Sequence, residues 1–256
     1  MGKCSLTVAL PVLSAMGCSC TVLPTAVMST HTGFPNPVCR SLTDDLLPMA
    51  DHLHSVGAEF DAITVGYVSD PQQLTEIEKV TDLFDANIIV DPVMGDHGRL
   101  YNRITPEHVE AMREFCNLNA AILLPNVTEA ALLAGLPYRE QVDTIYLQEL
   151  AYALTSSGPD AAIITGVSWD QYQTGFYCYY NRYGTCYRTQ RINKQLHGTG
   201  DLFTAVFAGN YAKTDKIYDS AELAAGFVER VVTATDSASA FGAEFEKALP
   251  WLIQQT

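Results

Sequence analysis

The chain has 256 residues, 48% of them hydrophobic and 17% charged, with a formal net charge of -14. That apolar content excludes wholesale disorder, and the acidity argues against nucleic acid as a partner, whose phosphates need clustered Lys and Arg. No run of 18 apolar residues occurs, so no membrane-spanning helix is expected.

Residues 5–16 fit a helix ending at Gly17, with Leu6, Ala9, Leu10 and Leu13 on one face and Pro11 inside it. Lys3 before this run and Cys18 after it imitate a short secretory or lipoprotein signal, but Pro11 interrupts the apolar stretch. The 7 cysteines include no CxxC pair and no zinc spacing, which reads as free thiols of a cytoplasmic protein. Residues 20–28 read as a strand. A polar loop, 29–41, leads to a helix with Thr43 as N-cap and Asp44 and Asp45 in its first turn.

Asp61 to Tyr67 reads as a strand, Pro71 to Phe84 as a helix and Asn87 to Val90 as a strand. A helix over 105–115 has Pro106 in its first turn. Ala121 to Leu124 follows as a strand, then a short helix from Thr128 to Ala134 closed by Gly135, a helix near 142–156 and the strand Ala161 to Thr165. Phe176 to Tyr180 and Cys186 to Arg188 flank Asn181-Arg182-Tyr183-Gly184 as an antiparallel hairpin; its tyrosines suit edge packing or a platform for a nucleotide base. Residues 201–255 are mostly helical. This alternation predicts an α/β fold, a mainly parallel sheet with helices on both faces, and ligands beyond the carboxyl ends of the strands. No repeat or linker divides the chain, so 1–256 reads as a single domain.

Three motifs carry chemistry. His197-Gly198-Thr199-Gly200-Asp201 opens an apolar helix, where free N–H groups and the helix dipole favour an anion. Asp201 there is either a helix cap or a base beside an anion hole. Asp91-Pro92-Val93-Met94-Gly95-Asp96 follows a strand, and places a carboxylate suited to hydrated magnesium or to a charged substrate group, or else forms an ordinary turn. Asn126 and Glu129 lie three apart at a helix start, as a pair orienting magnesium and phosphate or as a reciprocal cap.

DPVMGD, PNVTEAALLAG and HGTGDLFTAVFAG, with LPTAVMSTHTGF near the start and GYV at 66–68, resemble the pyridoxal/pyridoxine/pyridoxamine (vitamin B6) kinases of the ribokinase-like superfamily. The resemblance runs from Gly2 to about Gly242. It implies a three-layer α/β/α fold with an antiparallel hairpin at one edge, and a cytoplasmic homodimer using ATP, Mg2+ and often a monovalent cation. By that resemblance Asp201 is the catalytic base for the substrate's hydroxymethyl group, and Gly198, Thr199 and Gly200 supply the anion hole. His31, Thr32 and Tyr67 then contact the pyridine substrate. Asn126, Glu129, Thr165 and Gly166 contact the nucleotide, and Asp91 and Glu129 hold magnesium through water.

Two departures stand out. Family members open with a β-strand and a Ser/Gly-rich loop, and Gly2-Lys3-Cys4-Ser5 matches only the end of that loop, so a first strand is expected to be lacking. Pro35 and Pro37 stiffen the loop after His31. The rival readings are a hydroxymethylpyrimidine kinase, which usually carries Cys where Asp201 stands, and a non-catalytic protein of the same fold that binds vitamin or nucleotide.

Overall fold

Apolar runs of four or so residues, too short for helices, build the centre of the larger of two compact units. The computed structural model describes residues 2–194, 196–236 and 241–256. One unit comprises Leu23–Val27 and Cys39–Gln190; the other comprises Met1–Val22, Met28–Val38 and Arg191–Thr256.

The first of these holds a six-stranded sheet. β3 (Ala62–Val65), β4 (Asn87–Val90), β7 (Ile122–Leu123) and β8 (Ala161–Ser168) are parallel neighbours; β8, β9 (Gln173–Tyr180) and β10 (Tyr183–Gln190) continue antiparallel. The spatial order is β10-β9-β8-β7-β4-β3, and no strand pairs with the outer edge of β3 among the described residues. Helices α2 (Thr43–Ser55), α3 (Gln72–Thr81), α4 (Pro106–Asn119), α5 (Val127–Ala134) and α6 (Thr144–Thr155) join the strands. Ile89, Val90, Ile122, Leu123, Ile163 and Ile164 are essentially inaccessible, as expected of strands covered on both faces. Each such side chain contributes about 1.5–3 kcal/mol of burial. A core of Leu46, Val90, Met112, Phe115, Leu123, Leu147 and Tyr177 links these strands to the helices.

The fold class read from the sequence holds: a mainly parallel sheet flanked by helices, with an antiparallel hairpin at one edge. Asn181 and Arg182 both take positive φ, 51° and 67°, which matches the twist that a two-residue hairpin turn demands. Tyr177 and Tyr179 sit in the core and Phe176 stacks on Tyr187 at 5.0 Å, so those hairpin aromatics serve packing.

Three local readings are corrected. The strand expected over 20–28 is confined to β1 (Ala26–Met28), which pairs with β2 (Cys39–Ser41) in a separate two-stranded sheet; Pro24 lies in the part without ladder bonds. Thr43 does not cap α2: the N-cap is Leu42, and the Thr43 hydroxyl pairs with Ser41 at 2.7 Å. A small hairpin, β5 (Gly95–Asp96) with β6 (Arg99–Leu100), was not anticipated. It needs Gly95, where a Cβ would lie 2.3 Å from the Arg99 carbonyl oxygen.

The other unit is helical: α1 (Leu6–Ala15), α7 (Thr199–Thr214), α8 (Ile217–Ala234) and α9 (Leu249–Ile253). α1 keeps Pro11 inside it and buries Val8 and Val12. Gly209 lets α1 approach α7 closely, since a Cβ there would meet Met16 Sδ at 2.9 Å. No described helix is long and apolar enough to cross a membrane.

Candidate active site

The start of α7 is shaped by its glycines. Gly198 is the N-cap with φ 87°, in the left-handed region, and offers no side chain to the helix. A Cβ on it would lie 2.2 Å from the Lys3 carbonyl oxygen, whereas the same position on Gly200 faces open space. The first N–H groups of the helix therefore have no capping side chain, the condition for receiving an anion.

Asp201 lies in that first turn, beyond the N-cap position. Burial holds its carboxyl above the ordinary carboxylate value, opposed by interactions with the main-chain N–H and hydroxyl of Ser5 and with its own N–H. Ser5 is the N-cap of α1, with φ 49°, yet its side chain makes no capping bond to its own helix. The neighbouring Cys4 thiol is pushed up to about 12 by burial, with Asp201 adding to the effect. The arrangement is a desolvated carboxylate of raised basicity at a helix terminus without a side-chain cap, a group chemically able to accept a proton.

In the same unit, His31 packs between aromatic rings. Its Nδ1 accepts the Gly33 N–H at 3.1 Å, Phe34 lies 4.7 Å away and His197 4.4 Å away, centroid to centroid. Thr32 occupies the same turn. Partial desolvation, and secondarily His31, lower the basicity of His197, which remains an exposed residue.

The sheet unit carries a second group of residues. Asn126 is the N-cap of α5: its Oδ1 accepts the N–H groups of Thr128 at 2.9 Å and Glu129 at 3.0 Å. Glu129 returns the contact, accepting the Asn126 N–H at 2.9 Å through Oε2 and the Met94 N–H at 3.0 Å through Oε1. The Asn126 amide donates to the Gly95 carbonyl at 2.8 Å. The reciprocal cap left open by the sequence is thus formed, and it also grips the loop after β4. Burial, and next the nearby Asp91 carboxylate, raise the Glu129 carboxyl well above its usual value.

Asp91 follows β4 directly and is nearly inaccessible. These two hard oxygen donors fit a hydrated magnesium ion. Both oxygens of Glu129 already accept main-chain N–H groups, so the fit there is through water rather than by direct ligation. Among the described residues no three His, Cys, Asp or Glu side chains cluster as a metal cage.

Thr165 and Gly166 occupy a bulge in β8, where the register with β9 shifts between Ile164 and Val167. Gly166 takes φ 63°, and a Cβ there would face open space. The Thr165 N–H donates to the Pro125 carbonyl at 2.8 Å, placing the bulge beside Asn126. Tyr67 follows β3, its carbonyl accepting the Thr25 hydroxyl at 2.8 Å. Its phenolic oxygen is buried and has no hydrogen-bond partner among the described residues.

Asp201, Gly198, Thr199, Gly200, His31 and Thr32 fall in the helical unit; Tyr67, Asp91, Asn126, Glu129, Thr165 and Gly166 fall in the sheet unit. Sequence reasoning missed Ser5 as a neighbour of Asp201 and His197 as a partner of His31. An N-cap serine before α1 and a histidine heading the Gly-rich motif were the available signals, each common enough to pass unremarked.

The family model for phosphomethylpyrimidine kinase matches residues 9–245. A structure from Bacteroides thetaiotaomicron, named as a phosphomethylpyrimidine kinase and solved with pyridoxal, is 33% identical with a TM-score of 0.91, over 98% of this chain and 91% of that one. Pyridoxal kinase from Lactobacillus plantarum is 29% identical with a TM-score of 0.89, over 100% and 93%. A pyridoxal kinase of Arabidopsis thaliana is 28% identical over 224 residues, 81% of this chain and 70% of its own length.

Fold and relatives together define a phosphotransferase of the ribokinase-like superfamily, similar to the vitamin B6 kinases. More narrowly, the chain belongs to the phosphomethylpyrimidine kinase family.

Proposed function

We propose that this protein transfers the γ-phosphoryl group of ATP to the hydroxymethyl group of pyridoxal, pyridoxine or pyridoxamine. The observation that carries the reading is Asp201, a half-buried, desolvated carboxylate of raised basicity in the first turn of a helix whose N–H groups lack a cap. Asp201 takes the proton of the alcohol; the alcohol oxygen forms its bond to the γ-phosphorus as the bond to ADP breaks. The N–H groups of Gly198, Thr199, Gly200 and Asp201 receive the charge on the moving phosphoryl group, the term that dominates such reactions.

His31, Thr32 and Tyr67 hold the pyridine, and the unpartnered phenol of Tyr67 suits a substrate hydrogen bond. Asn126, Glu129, Thr165 and Gly166 serve the nucleotide. Asp91 and Glu129 hold magnesium through water, and magnesium, when bound, neutralises phosphate charge.

A hydroxymethylpyrimidine kinase is the second reading, favoured by the name of the matching family; Asp201 in place of the cysteine usual there speaks for the B6 vitamers. The test is magnesium-dependent ADP release with each vitamer and with hydroxymethylpyrimidine, beside Asp201→Ala. Turnover on a vitamer, reduced about 10²–10⁴-fold by the substitution, is expected. Turnover on the pyrimidine alone selects the second reading, and none on either alcohol overturns both.

A further inference from the structure

The proposed reaction leaves His197 without a task, yet its ring meets the turn that carries His31. The two imidazoles lie 4.4 Å apart with planes tilted by 37°. A Cβ on Gly33 would lie 2.7 Å from His197 Cε1 and 2.9 Å from His31 Cε1, so only glycine leaves both rings where they are. Phe34 extends the stack, 4.7 Å from His31 and 5.8 Å from Phe241. The backbone of His197 is equally engaged: its carbonyl accepts the Ala243 N–H at 3.0 Å, and the next residue, Gly198, is the N-cap of α7. One residue thus touches the His31 turn with its ring and begins the phosphoryl-binding helix with its main chain.

We propose that His197 is a positioning residue that seats the His31–Phe34 turn at the start of α7, and that the seat holds only while its imidazole is uncharged. The inference rests on the kinase reading of the site, in which His31 faces the substrate.

The chemistry of the pair supports the second half. His31 Nδ1 accepts a main-chain N–H, so in the neutral ring its proton sits on Nε2. Two imidazolium rings at this separation repel. The charged groups packed nearby are already engaged. Lys3, whose carbonyl borders Gly198 and Gly242, pairs through its ammonium with Glu246 at 2.6 Å. Asp201 interacts with Ser5. Partial desolvation, then His31, lower His197 below the ordinary 6.5, although the residue keeps an exposed side. The unseated turn therefore binds more protons than the seated one in the window just below that value, and seating weakens as pH falls through it.

The experiment compares the wild type, His197→Ala and His197→Phe between pH 5 and 8. In the wild type the KM for the vitamer rises below about pH 6.5 while the KM for ATP stays level. His197→Ala raises the vitamer KM about tenfold at pH 7, with kcat and the ATP KM within about twofold. His197→Phe keeps a ring in place, holds the vitamer KM near the wild-type value and flattens its pH dependence. An unchanged vitamer KM in His197→Ala overturns the proposal. So do equal rises for both substrates, or a wild-type pH profile in His197→Phe.

A second measurement needs no turnover and survives failure of the kinase reading. In protein labelled with 15N at histidine, His197 titrates below 6.5, and Phe34→Ala, which loosens the turn, moves it back towards that value. A His197 titration indifferent to Phe34→Ala overturns the seating itself.

Discussion

Glu129 accepts the main-chain N–H of Asn126 at 2.9 Å, and Asn126 accepts the main-chain N–H of Glu129 at 3.0 Å, so each residue satisfies the other's backbone. Because the second Glu129 oxygen takes the Met94 N–H, the pair also fixes the loop after β4. Glu129→Gln places an amide N–H2 against one of these donors and leaves a buried N–H unpaired. We expect a loss of about 1–3 kcal/mol in urea unfolding. Urea midpoints equal to wild type would remove the carboxylate from this structural role.

On the proposed reading, Asp201 sets stability against activity. Its folded-state value is raised above 3.8, so the folded protein holds more protons than the unfolded chain between the two values. The stability this confers is full in acid and is lost as pH rises through the raised value. At neutral pH the desolvated charge is a cost, so Asp201→Asn should melt higher than wild type at pH 7, with the gain disappearing near pH 4. Its turnover should fall about 10²–10⁴-fold. Calorimetry at both pH values, beside the ADP assay, checks both halves.

Gly198→Ala meets two obstacles at once, a left-handed φ of 87° and the Lys3 carbonyl oxygen 2.2 Å from the new Cβ. The contact is backbone, so the Gly2–Ser5 segment must move away from α7. A cost of about 2–3 kcal/mol is expected, and phosphoryl transfer should fall with it. Gly200→Ala, with open space at its Cβ, should cost less in melting temperature and serves as the control.

Arg182 occupies the second left-handed position of the β9–β10 turn, φ 67°. Asn followed by Gly is the favoured pair there, so Arg182→Gly should stabilise by about 0.5–1 kcal/mol. A thermal melt tests it, and an unchanged or lower melting temperature would mean the turn is not under strain.

Much of the fold was legible because its strands are short, apolar and flanked by turn residues: Asn87 to Val90 reads directly as β4, and Thr105-Pro106 announces α4. The 95–100 hairpin was not legible, since a two-residue strand carries no periodicity and Gly95 reads as loop punctuation. Thr43 misled because a threonine before two aspartates is the usual cap signal, whereas its hydroxyl is taken by Ser41. The candidate site was legible as separate motifs; what each side chain touches was not. The contacts of Ser5 with Asp201 and of His31 with His197 join residues about 200 and 170 positions apart, a separation no local pattern encodes.

The interlock of Asn126 and Glu129 also has a kinetic face. Met94, Asn126, Thr128 and Glu129 all donate their amides to side-chain oxygens of this one pair. None of the four can exchange its hydrogen with solvent until the pair parts, so their isotope exchange should follow one shared rate, as a single cooperative unit bridging two separate stretches of chain.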